Sequence, residues 1–465
     1  MKHKLLLFVL LTASLPIFAT GSIKERLSPN ETLWFTYPAR NWSEQALHIG
    51  NGYMGASFYG DIEKERFDIA EKTFWTGGPH SVPDFNYGVV KGGKDKIAAI
   101  RRSITDRRFA EADSLSRLYM VGDYTNYGYF SMVGNLFVDF GKKNQPVQNY
   151  LCGIDLSTSR GFVEYTQGGV RFNREYFCSY PDKLMALHFT ADQKGKISFS
   201  LSHSLVYQPE KVTEGKDELI FNGIIQGNGL GYTIRMKVLH QGGSIKVGHQ
   251  QITVEGADEA TVFYTVDTEY SPVYPLYKGE KPRQTTEKTI KSAITKGYET
   301  VKHTHISDYQ TLYNRVKFTL SGDTASEKLP TDIRVKQLQQ GFTDDASLKV
   351  LWFNLSRYLL ISASRPGTLP SNLQGVWNTF EKAPWNGNFQ SNINLQEMYW
   401  GCGPTHLPEC EEAYLEWIEG LVEPGRQTAR EYYGTKGWVS HSTGNIWGHT
   451  VPGDDILWGL YPSGA

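Results

Sequence analysis

The hydrophobic period of this chain changes once, and that change constrains the fold more than any other feature. Through residue 266, apolar and polar residues alternate in short runs, at 135–140, 161–178, 196–201, 219–225, 232–239, 245–254 and 260–266. Alternation sends successive side chains to opposite faces of a strand, so many such runs at short spacing predict an antiparallel β-sandwich. Gly168-Gly169 marks a hairpin turn within 161–178. A charged stretch over 94–119, carrying Ile97, Ile100, Ile104, Phe109, Ala112 and Leu115, predicts one or two helices between strands. From Thr343 the period becomes helical. Leu348, Leu351, Trp352, Leu355 and Leu359 recur three or four residues apart behind a Thr343-Asp344-Asp345 cap, and this helix ends before Arg365-Pro366-Gly367. Two further helical stretches, 409–421 and 424–433, follow, the second flanked by Pro424 and Gly434.

At 465 residues the chain exceeds what one core usually holds, so at least two domains are expected. The organisation expected is a leader at 1–21, a sandwich over 22–271, a Lys- and Thr-rich connector over 272–342 with a short helix near 307–316, and a helical region over 343–465. Residues 1–21 have a charged start, a short apolar run and small residues near Ala19 and Gly21, the pattern of a cleavable secretory signal. The expectation is export, to the periplasm or outside the cell. No later run is apolar enough to span a bilayer, so no membrane insertion is expected after signal removal. The 48 basic and 49 acidic residues nearly cancel and form no block of one sign, which argues against nucleic acid or an anionic membrane surface as partner. Cys152, Cys178, Cys402 and Cys410 are too few for a disulfide scaffold; they can pair after export or remain buried thiols. No metal-ligand spacing is present, and nothing implies a cofactor.

The stretch 369–410 mixes Trp377, Trp385, Tyr399 and Trp400 with amides at Asn372, Gln374, Asn378, Asn386, Asn388, Asn392, Asn394 and Gln396. Each buried amide group left without a partner costs about 1–3 kcal/mol. Aromatic faces beside fixed amides suit a sugar, whose ring is apolar on its C–H face and hydroxylated at its rim. The same residues can equally form a hydrogen-bonded network that braces irregular loops.

The segments Ser364 to Asn378 (SRPGTLPSNLQGVWN) and Asn392-Ile393-Asn394 with Tyr399-Trp400 resemble glycoside hydrolase family 95, the inverting α-L-fucosidases and their relatives. Leu33-Trp34, Ile49-Gly50-Asn51-Gly52, Glu71, Trp75 and Gly77-Gly78-Pro79 resemble the opening of that family's amino-terminal domain. The resemblance implies a β-sandwich followed by an (α/α)6 barrel, of which 343–465 holds only the first part. It also implies that the general acid and an assisting Asp fall beyond Ala465, so that little or no hydrolysis is expected of the 465 residues alone.

By the same resemblance, Asn392 and Asn394 hold the attacking water. If 392–394 is extended, both side chains point to one side, because strand side chains alternate; the alternative is that one asparagine caps a helix or makes a local turn. Asn372, Gln374, Trp377, Trp385, Gln390, Trp400 and His441 are the candidate substrate-binding residues, His441 being either a sugar-hydroxyl partner or a structural hydrogen-bonder. The chain departs from the family at 397–403, where an Asn, a Pro and a Glu are lost, and at Asn445 and His449, which replace acidic residues. The function expected is removal of terminal α-L-fucose or α-L-galactose from an oligosaccharide or polysaccharide by inversion. The alternatives are a non-catalytic glycan-binding protein, a decayed fragment, and a glycoside phosphorylase, which would need a phosphate pocket that the central stretch lacks.

Overall fold

In the computed structural model, residues 27–460 are described; the proposed leader lies outside them. Alternating sequence becomes two facing antiparallel sheets. The nine-stranded sheet is centred on Val170–Ser179, Leu184–Ala191, Glu259–Thr268 and Gly231–Gln241, and the seven-stranded sheet on Ile197–Leu205, Phe130–Asp139, Lys64–Trp75 and Met54–Phe58. Their inner faces meet ring to ring. Tyr176 of the larger sheet lies 5.1 Å from Phe58 and 4.9 Å from Phe67 of the smaller, both edge-on.

The Gly168-Gly169 hairpin forms as expected, joining Arg160–Gln167 to Val170–Ser179 with both glycines at positive φ. The run at 245–254 is not one strand, as its alternation suggested. It is the hairpin Ser244–Gly248 and Gln251–Ala257, turned by His249 and Gln250 at φ 54° and 57°. His249-Gln250 is not one of the usual Asn-Gly or glycine-containing hairpin pairs, so composition hid the turn.

The charged insert forms two helices, Gly93–Thr105 and Phe109–Tyr119. The connector holds three rather than one: Pro282–Lys296, Tyr298–Tyr313 and Thr331–Gln339. Pro282 at a first turn and Gly297 between the first two helices divide what composition left as one polar stretch. Ile290 and Ala293 of the first pack on Phe177, Leu184 and Phe263, so this helix covers the outer face of the larger sheet.

Helix Ala346–Ala363 begins as predicted. The Asp345 carboxylate accepts from the Leu348 N–H at 2.9 Å and is held in a bidentate pair, fully buried on both sides, by Arg334 at 2.8 and 2.9 Å. Pro408–Gly420 and Val422–Thr428 follow, the latter running through one π turn to a left-handed Gly434. Polar joints tie this helical layer to the sandwich. The Tyr358 hydroxyl donates to the His48 carbonyl at 2.6 Å, the Gly52 N–H to the Ser362 carbonyl at 2.8 Å, and the Lys72 ammonium to the carbonyls of Ala363 and Leu369. Among the described residues no helix is long and apolar enough to cross a membrane. All four cysteines are buried free thiols.

Candidate active site

The loop after Ala363 carries the amide-rich stretch, and its first half is a brace. Ser364 Oγ donates to the Cys410 carbonyl at 2.7 Å, which leaves the Tyr399 hydroxyl proton to donate to Ser364 Oγ at 2.8 Å; Tyr399 in turn accepts from the Ser371 N–H at 2.9 Å. Asn372 is buried and its Oδ1 accepts from the Gln374 N–H at 2.8 Å, an Asx turn. Gln374 donates to the Pro384 carbonyl at 3.2 Å. Trp377 does not line an open pocket. Its indole N–H donates to the Ile49 carbonyl at 2.8 Å, and its ring lies where a Cβ on Gly55 would stand 2.7 Å away. Two strand glycines some three hundred residues earlier, Gly50 and Gly55, admit this indole between sheet and helix, a contact no local pattern announces.

The second half turns outward. Trp385 is 75% exposed and sits with Asn386 in a left-handed turn, at φ 55° and 59°. Such a backbone on a bulky residue costs about 1–3 kcal/mol and tends to occur at functional sites. Phe389–Gln390 then pairs with Thr443–Gly444 as a two-residue antiparallel ladder, and the Ser391 N–H donates to the Ser442 carbonyl at 2.9 Å. This ladder joins the two sequence clusters, placing Gln390 opposite Thr443 and the asparagine motif beside the loop of His441.

Residues 392–394 are not extended. Asn392 and Ile393 form an exposed turn, and Asn394 opens the short helix Asn394–Tyr399, so the two side chains are not arranged by strand alternation. Neither is the capping alternative met at Asn394: the N-cap position is Ile393, whose side chain makes no cap bond. Trp400, just past the helix, is 63% exposed.

His441 is fully buried with both ring nitrogens engaged, Nδ1 with the Thr450 carbonyl at 2.7 Å and Nε2 with the Tyr433 hydroxyl at 2.6 Å. Nδ1 must donate to that carbonyl, so in the neutral ring Nε2 accepts from Tyr433. Burial lowers its pKa to about 4, which keeps the ring neutral. The geometry is that of a structural hydrogen-bonder, the alternative reading of this residue. Among the described residues no group of three His, Cys, Asp or Glu side chains is placed to hold a metal ion.

Sequence reasoning assigned no role to a set of polar groups on the sandwich side, Glu71, Lys72 and Asp267. Strand Lys64–Trp75 buries charged residues on both faces, at Glu65, Asp68, Glu71 and Lys72, which in sequence alone read as its solvent face. Glu71 entered only as part of a family resemblance.

Comparison with known proteins agrees with this architecture. Residues 33–272 match the glycosyl hydrolase family 65 N-terminal domain, and residues 297–465 match the glycosyl hydrolase family 95 catalytic domain. The chain is 31% identical to Alpha-L-fucosidase 2 of Arabidopsis thaliana over 93% of its own length and 54% of the relative's. It is 30% identical to Probable alpha-fucosidase A of Aspergillus niger, over 93% and 56%. The chain thus spans a little over half the length of these curated relatives. In fold it is similar to a putative kojibiose phosphorylase from human microbiome, with a TM-score of 0.54 at 11% identity over 90% of this chain and 52% of that one. A family 65-type N-terminal domain over just over half the chain, followed by a family 95-type catalytic-domain match, fits a glycoside hydrolase of the family 95 type.

Proposed function

We propose that this exported protein removes terminal α-L-fucose, or the closely related α-L-galactose, from glycans by an inverting mechanism. The observation that carries the reading is the asparagine motif: Asn392 lies on an exposed turn and Asn394 opens the helix that follows it, beside the His441 loop to which Phe389–Gln390 is joined by a two-residue ladder. Inversion needs a water activated on the face opposite the leaving group, and an acid for the leaving oxygen. An amide oxygen can orient that water but cannot take its proton, so the two asparagines act as water-positioning groups and carboxyls supply the proton chemistry. Trp385 and Trp400, exposed near the ends of the same segment, offer apolar faces to sugar rings. In this reading the helices from Ala346 onward belong to an (α/α)6 barrel, and the sandwich, connector and barrel divide near residues 271 and 342.

The test is the anomer released first. Hydrolysis of an aryl α-L-fucoside by the full-length protein, followed by proton NMR, should yield β-L-fucose before mutarotation. Initial release of α-L-fucose contradicts inversion. Fucose binding without turnover favours the glycan-binding alternative, for which the exposed tryptophans would suffice.

A further inference from the structure

Where strand Lys64–Trp75 meets the helical layer, Glu71, Lys72 and Thr73 form one wall of a cavity of about 250 Å³, and Tyr270, Tyr277 and Trp417 contribute aromatic walls. None of Gln390, Asn392, Asn394, Trp385 or Trp400 lines it. Trp417 separates the two places: its ring lies 5.0 Å from Phe389, next to the motif segment, and its indole N–H donates to the Asn445 carbonyl at 3.2 Å.

Three features point to a ligand. The Tyr277 hydroxyl has no protein partner although the residue is 3% exposed, and an unmade hydrogen bond of this kind costs about 1–3 kcal/mol. It stands against Gly448, another wall residue, where a Cβ would lie 2.1 Å from the phenolic oxygen. Glycine at φ +68° therefore keeps this polar head free of side-chain cover. Glu71 is buried, with one oxygen accepting from the Thr73 N–H at 3.0 Å and hydroxyl at 2.5 Å. Burial, with the Asp267 carboxylate adding repulsion, raises its pKa to about 8, so near neutrality it is largely a protonated carboxyl able to donate.

Charge and size narrow the class. With Glu71 largely neutral, Asp267 and Glu416 still outnumber Lys72, whose ammonium is already committed to two carbonyls, so an anion is disfavoured. At about 250 Å³ the space falls just below the roughly 300–1,000 Å³ of drug-sized pockets, which suits one ring rather than a chain. Aromatic walls with hydroxyl and carboxyl groups between them match a ring that is apolar on its faces and hydroxylated at its rim.

We propose that this cavity binds one neutral pyranose, a free monosaccharide, at a site separate from the asparagine-bearing turn. The inference does not depend on the hydrolytic reading, and the two fail separately.

The experiment is calorimetric titration of the purified chain with D-galactose, L-fucose and D-glucose, and with D-galacturonate as the anionic comparator, repeated on three variants. Gly420→Phe adds a ring at the cavity's edge, from the exposed end of helix Pro408–Gly420, where a Cβ meets nothing within 4 Å. Glu71→Gln keeps the side-chain shape and removes the acid, and Asn394→Ala touches only the other site. At least one neutral sugar should bind the parent and Asn394→Ala alike, with affinity lost at least tenfold in Gly420→Phe and reduced in Glu71→Gln. If Gly420→Phe melts below the parent, Glu71→Gln alone decides. Absence of binding by all three neutral sugars, tighter binding of galacturonate, or binding abolished only by Asn394→Ala overturns the proposal.

Discussion

The seam between the two layers and the turn that carries the asparagine motif are built from similar residues used in opposite ways. At the seam, the polar groups that tie the layers together are buried and partnered. Asp68 accepts from Tyr59 at 2.8 Å, Asn135 at 2.7 Å and Thr379 at 2.7 Å, and Arg334 chelates Asp345 while donating to the Pro29 carbonyl at 2.8 Å. At the turn, Asn392 is exposed, and so are Trp385 and Trp400 on either side of it in sequence. The seam residues hold the layers together; the turn residues are displayed. Stability and chemistry should therefore respond to different substitutions.

The largest effect is expected at the seam. Arg334→Ala leaves the Asp345 carboxylate buried without its partner and weakens the start of helix Ala346–Ala363, a loss of about 3–5 kcal/mol measurable by urea unfolding. A loss below about 1 kcal/mol would place this pair with ordinary surface ion pairs.

Acid should act on the same buried class. Burial lowers the pKa of His48, His188, His203, His305 and His441 to about 4, and that of His449 to about 3. For a base with a depressed folded pKa, the stabilising contribution is full above the ordinary value of 6.5 and is lost as pH falls toward 4. Glu65 and Glu71, raised to about 7 and 8, oppose this between pH 4.5 and 6.5, but six imidazoles outnumber two carboxyls. The melting temperature should fall steadily from pH 6.5 to 4, and a flat profile would contradict burial of these rings.

Lys72→Met comes next. It keeps the aliphatic stem and orphans the carbonyls of Ala363 and Leu369, at a cost of about 1–3 kcal/mol in urea unfolding. The smallest stability change belongs to the turn. Asn394→Ala should shift unfolding by less than about 0.5 kcal/mol, because no cap bond is lost; a larger shift would erase the contrast between seam and turn.

The sandwich was legible because alternation is local and turn chemistry punctuates it, as at Gly168-Gly169. Helix Ala346–Ala363 was legible from its Asp345 cap and apolar spacing. The hairpin at His249-Gln250 was not, since its turn residues carry no local signature. Trp377 was assigned to a pocket because its neighbours are amides; only Gly50 and Gly55, distant in sequence, reveal that it packs inward. The motif marked a loop, but whether 392–394 is a strand or a turn is decided by how Phe389–Gln390 pairs with Thr443–Gly444, a long-range contact. The buried carboxyls facing the cavity escaped notice because single charged residues in a strand look like its solvent face until the partner layer is placed.

The most direct test of the account is the rate of aryl α-L-fucoside hydrolysis by the full-length enzyme carrying Asn392→Ala, beside its unfolding curve. The account predicts turnover reduced by roughly 100-fold or more, the scale for loss of a positioned polar group at a reacting centre, with unfolding unchanged. Turnover near that of the parent, together with its loss in Glu71→Gln, would move the chemistry from the asparagine turn to the cavity and contradict the account.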